Sequence, residues 1–316
     1  MFVKINGKEV KLPDFFIIGA AKSGTTSLAK YLAEHPQIYI PSQKEFHFFL
    51  FANQKPSYYN NHILGPVLIY KLEDYLSFFK NTNDNIILGD CSVTYMYLYG
   101  YRTVIKNIKK YYPQNKLTNL KFISILRNPI DRAFSQYCTR LLNEENKPFI
   151  EACYIWEERK KRGWSIAYDY LGFSFYYEPL KAYMDEFGKK NVKIYLYEDL
   201  KEKPLELIRD VFIFLGVDLN FVPLNIGKKY NVSKIPKSTF HKIFYDLTIR
   251  YNPIKPIAKK IFPENTKEKI KEISIKIFFK KPQLTFEIRE KLKEVFKEDI
   301  LKLQELIGRD LSHWLK

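Results

Sequence analysis

The lysine of one short loop decides what chemistry this chain can do. The stretch Phe15–Leu28 reads FFIIGAAKSGTTSL, an apolar run passing through small residues into a helical pattern that ends near His35. Strand, tight turn and helix in that order form a nest of inward-facing backbone N–H groups. The helix N-terminus adds its partial positive charge, so the turn is suited to an anion. In a nucleotide-triphosphatase loop, G-x-x-x-x-G-K-[ST], the lysine follows the second glycine. Here Gly19 and Gly24 keep the spacing, Thr25 and Thr26 follow, and the lysine is Lys22, inside the turn. Lys22, Ser23, Gly24, Thr25, Thr26 and Ser27 then make a cradle for a phosphate ester that needs no metal. A buried strand with a plain glycine turn and a diverged ATP or GTP site are the competing readings.

Two further segments carry candidate groups. In Ile123–Tyr137, ISILRNPIDRAFSQY, a strand-like run ends at Arg127, Pro129 opens a helix, and Ser135 lies two turns along it. Open α/β sheets bind ligands at the carboxyl ends of their strands, and a guanidinium there matches a phosphate in bidentate fashion. A structural salt bridge from Arg127 to Asp131 is the alternative. In Pro41–Phe49, PSQKEFHFF, the pair Lys44 and Glu45 and then His47 stand among aromatic residues. Apolar walls raise a carboxyl's pKa into the range useful to a general base. The alternative is a surface loop with Lys44 and Glu45 in solvent and the rings in the core.

These groups need elements to hold them. Phe15–Ala20, Ile86–Gly89, Lys121–Leu126 and Val192–Tyr197 are short apolar or β-branched runs, the pattern of buried parallel strands. Helical segments are expected at Thr26–Glu34, Ile130–Leu142, Pro204–Leu215 and Thr285–Ile307, with Gly216 and Gly308 as stops. The fold class predicted is α/β: a single P-loop-type domain over residues 1–316, its central parallel sheet flanked by helices. A basic region of loops and short helices is expected at about 228–281, rich in proline from Pro236 to Pro263, before the C-terminal helix at about 285–307.

The run IIGAAKSGTTSL followed by PSQKEFHFF resembles the PAPS-dependent sulfotransferases, nearest to the branch that sulfates heparan sulfate and other glycans. The resemblance implies PAPS as sulfuryl donor, PAP as product, no metal, and a hydroxyl acceptor, a glycan among the candidates. It places Arg127 and Ser135 at the nucleotide's 3′-phosphate, and makes Glu45 the base that deprotonates the acceptor hydroxyl. Lys22 becomes the group that meets the departing phosphate oxygen, and Lys44 and His47 become acceptor-side neighbours. Gly89–Tyr95 resembles the family's G-E-K-S/T-P-x-Y turn, but Cys91 replaces its lysine and Val93 its proline. That departure weakens the case for a heparan-like acceptor and leaves Asp90 as a hydrogen-bond acceptor on the substrate side. Gly227–Lys234 occupies the place of a basic loop over the nucleotide, so Lys228, Lys229 and Asn231 are candidates for the 3′-phosphate. The segments Phe175–Leu180 and Ile194–Leu200 and the ending GRDLSHW, Gly308–Trp314, extend the resemblance along most of the chain. A P-loop kinase is the alternative enzyme, disfavoured by Thr25 in the lysine position and by the Arg127/Ser135 pair. A non-catalytic polyanion or nucleic-acid binder is the third class, and no RNP or helix-turn-helix signature supports it.

Bulk properties fit a folded domain with anionic partners. Of 316 residues 46% are hydrophobic and 16% aromatic, and 52 Lys and Arg against 35 Asp and Glu give a net charge of +17. Residues 228–281 hold fifteen of those bases and only four acids, so the excess is concentrated there. A basic face of this kind steers polyanions or is simply solvated. No apolar run approaches the ~20 residues that span a bilayer, and no signal-peptide core is visible, so no transmembrane segment is expected. Cys91, Cys138 and Cys153 leave one thiol over in any pairing, which points to a reducing, cytoplasmic compartment. The histidines lack metal-ligand spacing; neither a metal site nor a nucleic-acid partner is expected. The aromatic stretch Tyr154–Tyr183 is expected to wall the acceptor pocket.

Overall fold

The computed structural model describes residues 1–5, 7–55, 69–80, 82–141, 144–228, 235–238, 279–280 and 283–316. Two strands that the sequence reading did not anticipate come first. β1 (Phe2–Ile5) and β2 (Lys8–Lys11) pair antiparallel as a hairpin. The alternation of charged and apolar residues in Met1–Lys11 is the period-two pattern of a half-buried strand. The hairpin is tied to the body by the terminal ammonium, which pairs with Asp14 at 2.8 Å.

The main sheet contains β3 (Phe15–Gly19), β4 (Ile38–Tyr39), β5 (Ile87–Cys91), β6 (Lys121–Leu126) and β7 (Val192–Leu196). Their spatial order is β4-β5-β3-β6-β7, and every pairing is parallel. The chain runs from β3 outward to β4, returns to β5 beside β3, and then crosses to β6 on β3's other side. The strand order therefore reverses at β3, so the loops after β3 and β6 flank the crevice where such sheets bind ligands. β3 sits close against β5 because Gly89 has no side chain: a Cβ there would lie 2.3 Å from Cζ of Phe15.

Residues of β3 and β6 alternate between two cores, as strand geometry requires. Phe15, Ile17, Ile123 and Ile125 face α1 (Thr25–Ala33) through Leu28 and Leu32. Phe16, Ile18, Phe122 and Leu126 face a larger aromatic core that includes Val104 and Ile108 of α2 (Tyr101–Tyr111). α3 (Pro129–Arg140) follows β6, and Tyr183 and Phe187 of α4 (Tyr177–Phe187) close that side over Phe122. On the opposite face α5 (Pro204–Leu215) buries Leu207, Ile208 and Val211, and ends on Gly216 as expected. α6 (Phe286–Ile307) returns to the larger core with Leu292, Phe296 and Leu303. The four expected strands and four expected helices are present within one or two residues of their expected limits. Most of the basic region at 228–281 lies outside the described residues.

The aromatic stretch departs from expectation. Tyr168, Tyr170, Tyr176 and Tyr183 are buried core residues, while Tyr154 is exposed. Burial at that density is explained by a polar staple: Glu145 takes two hydrogen bonds from Arg159, at 2.7 and 2.8 Å, and one from Tyr170 at 2.7 Å. Most of these rings thus build the scaffold.

Candidate active site

The turn after β3 has the form of an anion cradle. α1 starts at Thr25, its N-cap Gly24 is left-handed at φ 97°, and no side chain caps the helix. A Cβ on Gly24 would stand 2.5 Å from Leu200, so the turn requires glycine both for its backbone angle and for the close approach of the 197–202 helix. Ser23 is fully buried, and its hydroxyl has no hydrogen-bond partner. An uncapped helix start beside a buried unpaired hydroxyl is a donor set suited to an oxyanion. Lys22 sits in the same turn with φ 66°. Burial, and then the charges of Arg140, Arg132 and Arg127, lower its pKa to about 8. Thr25 and Ser27 are buried, and Thr26 is partly exposed on the first turn of α1.

Across the crevice, Arg127 stands at the end of β6. Its guanidinium lies 5.1 Å above the Tyr197 ring, and Nη1 donates to the Lys22 carbonyl at 3.3 Å. The structural alternative for this arginine does not hold, because Asp131 pairs with Arg289 at 2.6 Å instead. Asn128 caps α3 by accepting from the N–H groups of Ile130 and Asp131, and it donates to the Trp314 carbonyl at 3.0 Å. The C-terminal GRDLSHW segment therefore braces the Arg127 turn, with Arg309 also clamped on Asp199 at 2.5 and 2.9 Å. Ser135 is buried further along α3. The Lys228 carbonyl accepts from Tyr31 at 2.8 Å, which brings that residue's backbone against α1. Lys229 and Asn231 lie outside the described residues.

Arg132 and Arg140 belong to the same cationic field and were not singled out from the sequence. Arg132 is fully buried, donating to Ser174 and to the Tyr170 carbonyl, each at 2.6 Å, and to Gln136. Their spacing, with Gln136 midway, stacks all three on one face of α3, a signal that was present in RAFSQYCTR.

Glu45 stands on a strained turn. Glu45 and His47 both adopt left-handed backbone angles, φ 60° and 59°. The Glu45 carboxylate accepts from the Val93 N–H at 3.0 Å. Burial lifts its pKa to about 7, against the opposing pull of Lys44 and the Val93 hydrogen bond, with a smaller upward push from Asp90. Geometry places three residues expected on the acceptor side. Lys44 turns toward the phosphate cradle, donating to Thr26 Oγ1 at 2.8 Å. His47 is buried, with Nδ1 2.8 Å from Thr94 Oγ1, and supports the turn from within. Asp90 is fully buried; Ser92, Tyr75 and Tyr95 donate to it at 2.7, 2.8 and 2.9 Å, leaving it no face toward a substrate. Cys91 beside it is a buried thiol that desolvation pushes up to about 12, a packing residue.

Comparison with known proteins agrees with this fold. The sulfotransferase domain family matches residues 12–306. The solved sulfotransferase of Alicyclobacillus acidocaldarius is 28% identical, with a TM-score of 0.70 over 97% of this chain and all of that one. A membrane-associated sulfotransferase of Dictyostelium discoideum, kil1, is 33% identical over 138 residues, which are 43% of this chain and only 24% of that protein.

Proposed function

The chain belongs to the sulfotransferase domain family, enzymes that take PAPS as donor and release PAP, and on that premise we propose how its residues divide the work. The donor's 5′-phosphate lies in the Lys22–Ser27 cradle, and its 3′-phosphate is read by Arg127 and Ser135, with Lys228, Lys229 and Asn231 as candidate further contacts. The acceptor is the hydroxyl of a glycan or another alcohol. Its oxygen attacks sulfur in line with the departing phosphate oxygen: the new O–S bond forms as the bridging S–O bond breaks.

Glu45 takes the hydroxyl proton as that bond forms, and the Lys22 ammonium offsets the charge left on the phosphate of PAP. A carboxyl pushed up to about 7 is poised for this at neutral pH, being basic enough to accept a proton and acidic enough to be ionised. Cys91 and Val93 stand where the heparan sulfate branch has lysine and proline, so a neutral or differently charged acceptor fits better than heparan sulfate. Three buried free cysteines are consistent with a reducing, cytoplasmic setting. We read the whole chain as one domain. Among the described residues no helix is long and apolar enough to cross a membrane.

One observation carries the proposal. The 2.8 Å bond from Lys44 to Thr26 joins the turn bearing Glu45 directly to the phosphate cradle, so base and donor site are built as one unit. Retention on immobilised adenosine 3′,5′-bisphosphate tests it. Elution by free PAP but not by ATP or RNA supports the proposal; elution by ATP alone returns the kinase, and elution by RNA alone returns the polyanion binder.

A further inference from the structure

Residues 91–95 hold residues 45–49 through a series of links. The Cys91 carbonyl accepts from the Glu45 N–H at 3.0 Å, and the Val93 N–H donates to the Glu45 carboxylate at 3.0 Å. Ser92 Oγ accepts from the Phe46 N–H at 3.1 Å and lies 3.5 Å from the His47 N–H. Thr94 meets the His47 ring, and the Tyr95 hydroxyl accepts from the Phe49 N–H at 3.3 Å. The centre of this series is Ser92, because its hydroxyl proton is committed to Asp90 at 2.7 Å, which turns its lone pairs toward residues 46 and 47. Asp90 is itself fixed, since Tyr75 and Tyr95 both donate to its other oxygen.

Left-handed angles at two non-glycine residues cost energy and persist only where the surroundings over-determine them. Here the links from 91–95 do so. We propose that Asp90 and Ser92 form a positioning pair for the catalytic turn: Asp90 orients the Ser92 hydroxyl, and Ser92 holds the backbone on the C-terminal side of Glu45 so that its carboxylate faces the cradle. This rests on the reading of Glu45 as the base. Neither residue touches substrate. The groups facing Glu45 electrostatically are Lys44 on its own turn and Asp90 from the end of β5. The pair therefore acts on the base in two ways, by geometry through Ser92 and by charge through Asp90.

The test compares Ser92→Ala, Ser92→Thr, Asp90→Asn, Tyr75→Phe and Glu45→Gln in sulfuryl transfer from PAPS, with PAP affinity and pH profiles measured in parallel. Ser92→Ala is expected to lower kcat by about tenfold or more with PAP affinity within about twofold, and Ser92→Thr, which keeps the hydroxyl, to recover most of the loss. Asp90→Asn removes a negative neighbour of Glu45, so the acid limb of kcat/KM should move to lower pH. Tyr75→Phe takes one hydrogen bond from the far oxygen of Asp90 and leaves the Ser92 link whole. It should lower the melting temperature yet keep kcat within about twofold, which separates positioning from general stability. Unchanged kcat in folded Ser92→Ala together with an unmoved acid limb in Asp90→Asn overturns the pair. If Ser92→Ala does not fold, the acid limb of Asp90→Asn and the kcat of Tyr75→Phe decide alone. Retention of turnover by Glu45→Gln instead overturns the base, a separate failure.

Discussion

Replacing Arg127 by alanine should weaken PAP far more than adenosine 5′-phosphate, which lacks the 3′ group. The side chain projects from the end of β6 beside the cradle, and Nη1 makes a long 3.3 Å hydrogen bond to the Lys22 carbonyl. The neighbouring acid, Asp131, is taken up by Arg289. Among the described residues, removing Arg127 therefore breaks no ion pair, and the fold should tolerate it. What is lost is a charge-assisted contact to the nucleotide, worth about 1.5–3 kcal/mol. At about 1.4 kcal/mol per decade this is a rise in Kd of roughly 10- to 150-fold. Arg127 is half-buried and its guanidinium lies over Tyr197, so water screens part of its charge and the lower half of that range is expected. Titration calorimetry of wild type and variant with both nucleotides measures the difference. An equal loss for the two, or none for PAP, would refute the assignment of Arg127 to the 3′-phosphate.

Other outcomes follow from the same geometry. The kcat/KM profile should be a narrow bell, with an acid limb near 7 where Glu45 must ionise and a basic limb near 8 where Lys22 must keep its proton. Bound donor should carry the basic limb of kcat to higher pH, because its anionic phosphate favours charged Lys22. Glu45→Gln should cost about 10²–10⁴ in kcat with PAP affinity preserved, the range for a lost general base. The same variant should melt higher than wild type at pH 8. The folded-state pKa of Glu45 is raised from 4.5 to about 7, so the native state holds the extra proton and loses stability as pH rises through that window, a penalty glutamine does not carry. Differential scanning calorimetry of the pair at pH 5 and pH 8 checks the sign. Gly24→Ala should destabilise by about 1–2 kcal/mol from its left-handed angle alone, with a further cost where its Cβ meets Leu200, and should lower PAP affinity as the cradle shifts. Chemical denaturation and PAP titration of the variant measure both.

The sequence made the parallel sheet legible because each central strand is buried on both faces and so reads as a continuous apolar run. It made the cradle legible because glycine at position 24 answers a backbone demand that few other residues meet. β4 escaped because a two-residue edge strand has no periodicity to read. The hairpin of β1 and β2 escaped because strands of four residues each are too short for a period-two pattern to stand out. Lys44, His47 and Asp90 were expected on the acceptor side, but their orientation depends on Thr26, Thr94 and the tyrosines around Asp90, partners up to 47 residues away in the chain. Spacing along one segment carries no information about such contacts. Glu45 was singled out by the resemblance, since its aromatic company alone leaves a surface loop open, and its left-handed backbone angle was not legible at all.

Transfer of labelled sulfuryl from PAPS to a panel of neutral and charged alcohols, run in EDTA with wild type and Glu45→Gln side by side, is the decisive measurement of metal-free sulfuryl transfer with Glu45 as base. Wild type should give a labelled sulfate ester and one PAP per transfer with no dependence on a divalent metal, and the variant should lose about 10²–10⁴ in rate. Release of label only as free sulfate, or transfer of phosphate from ATP that requires Mg²⁺, would contradict it.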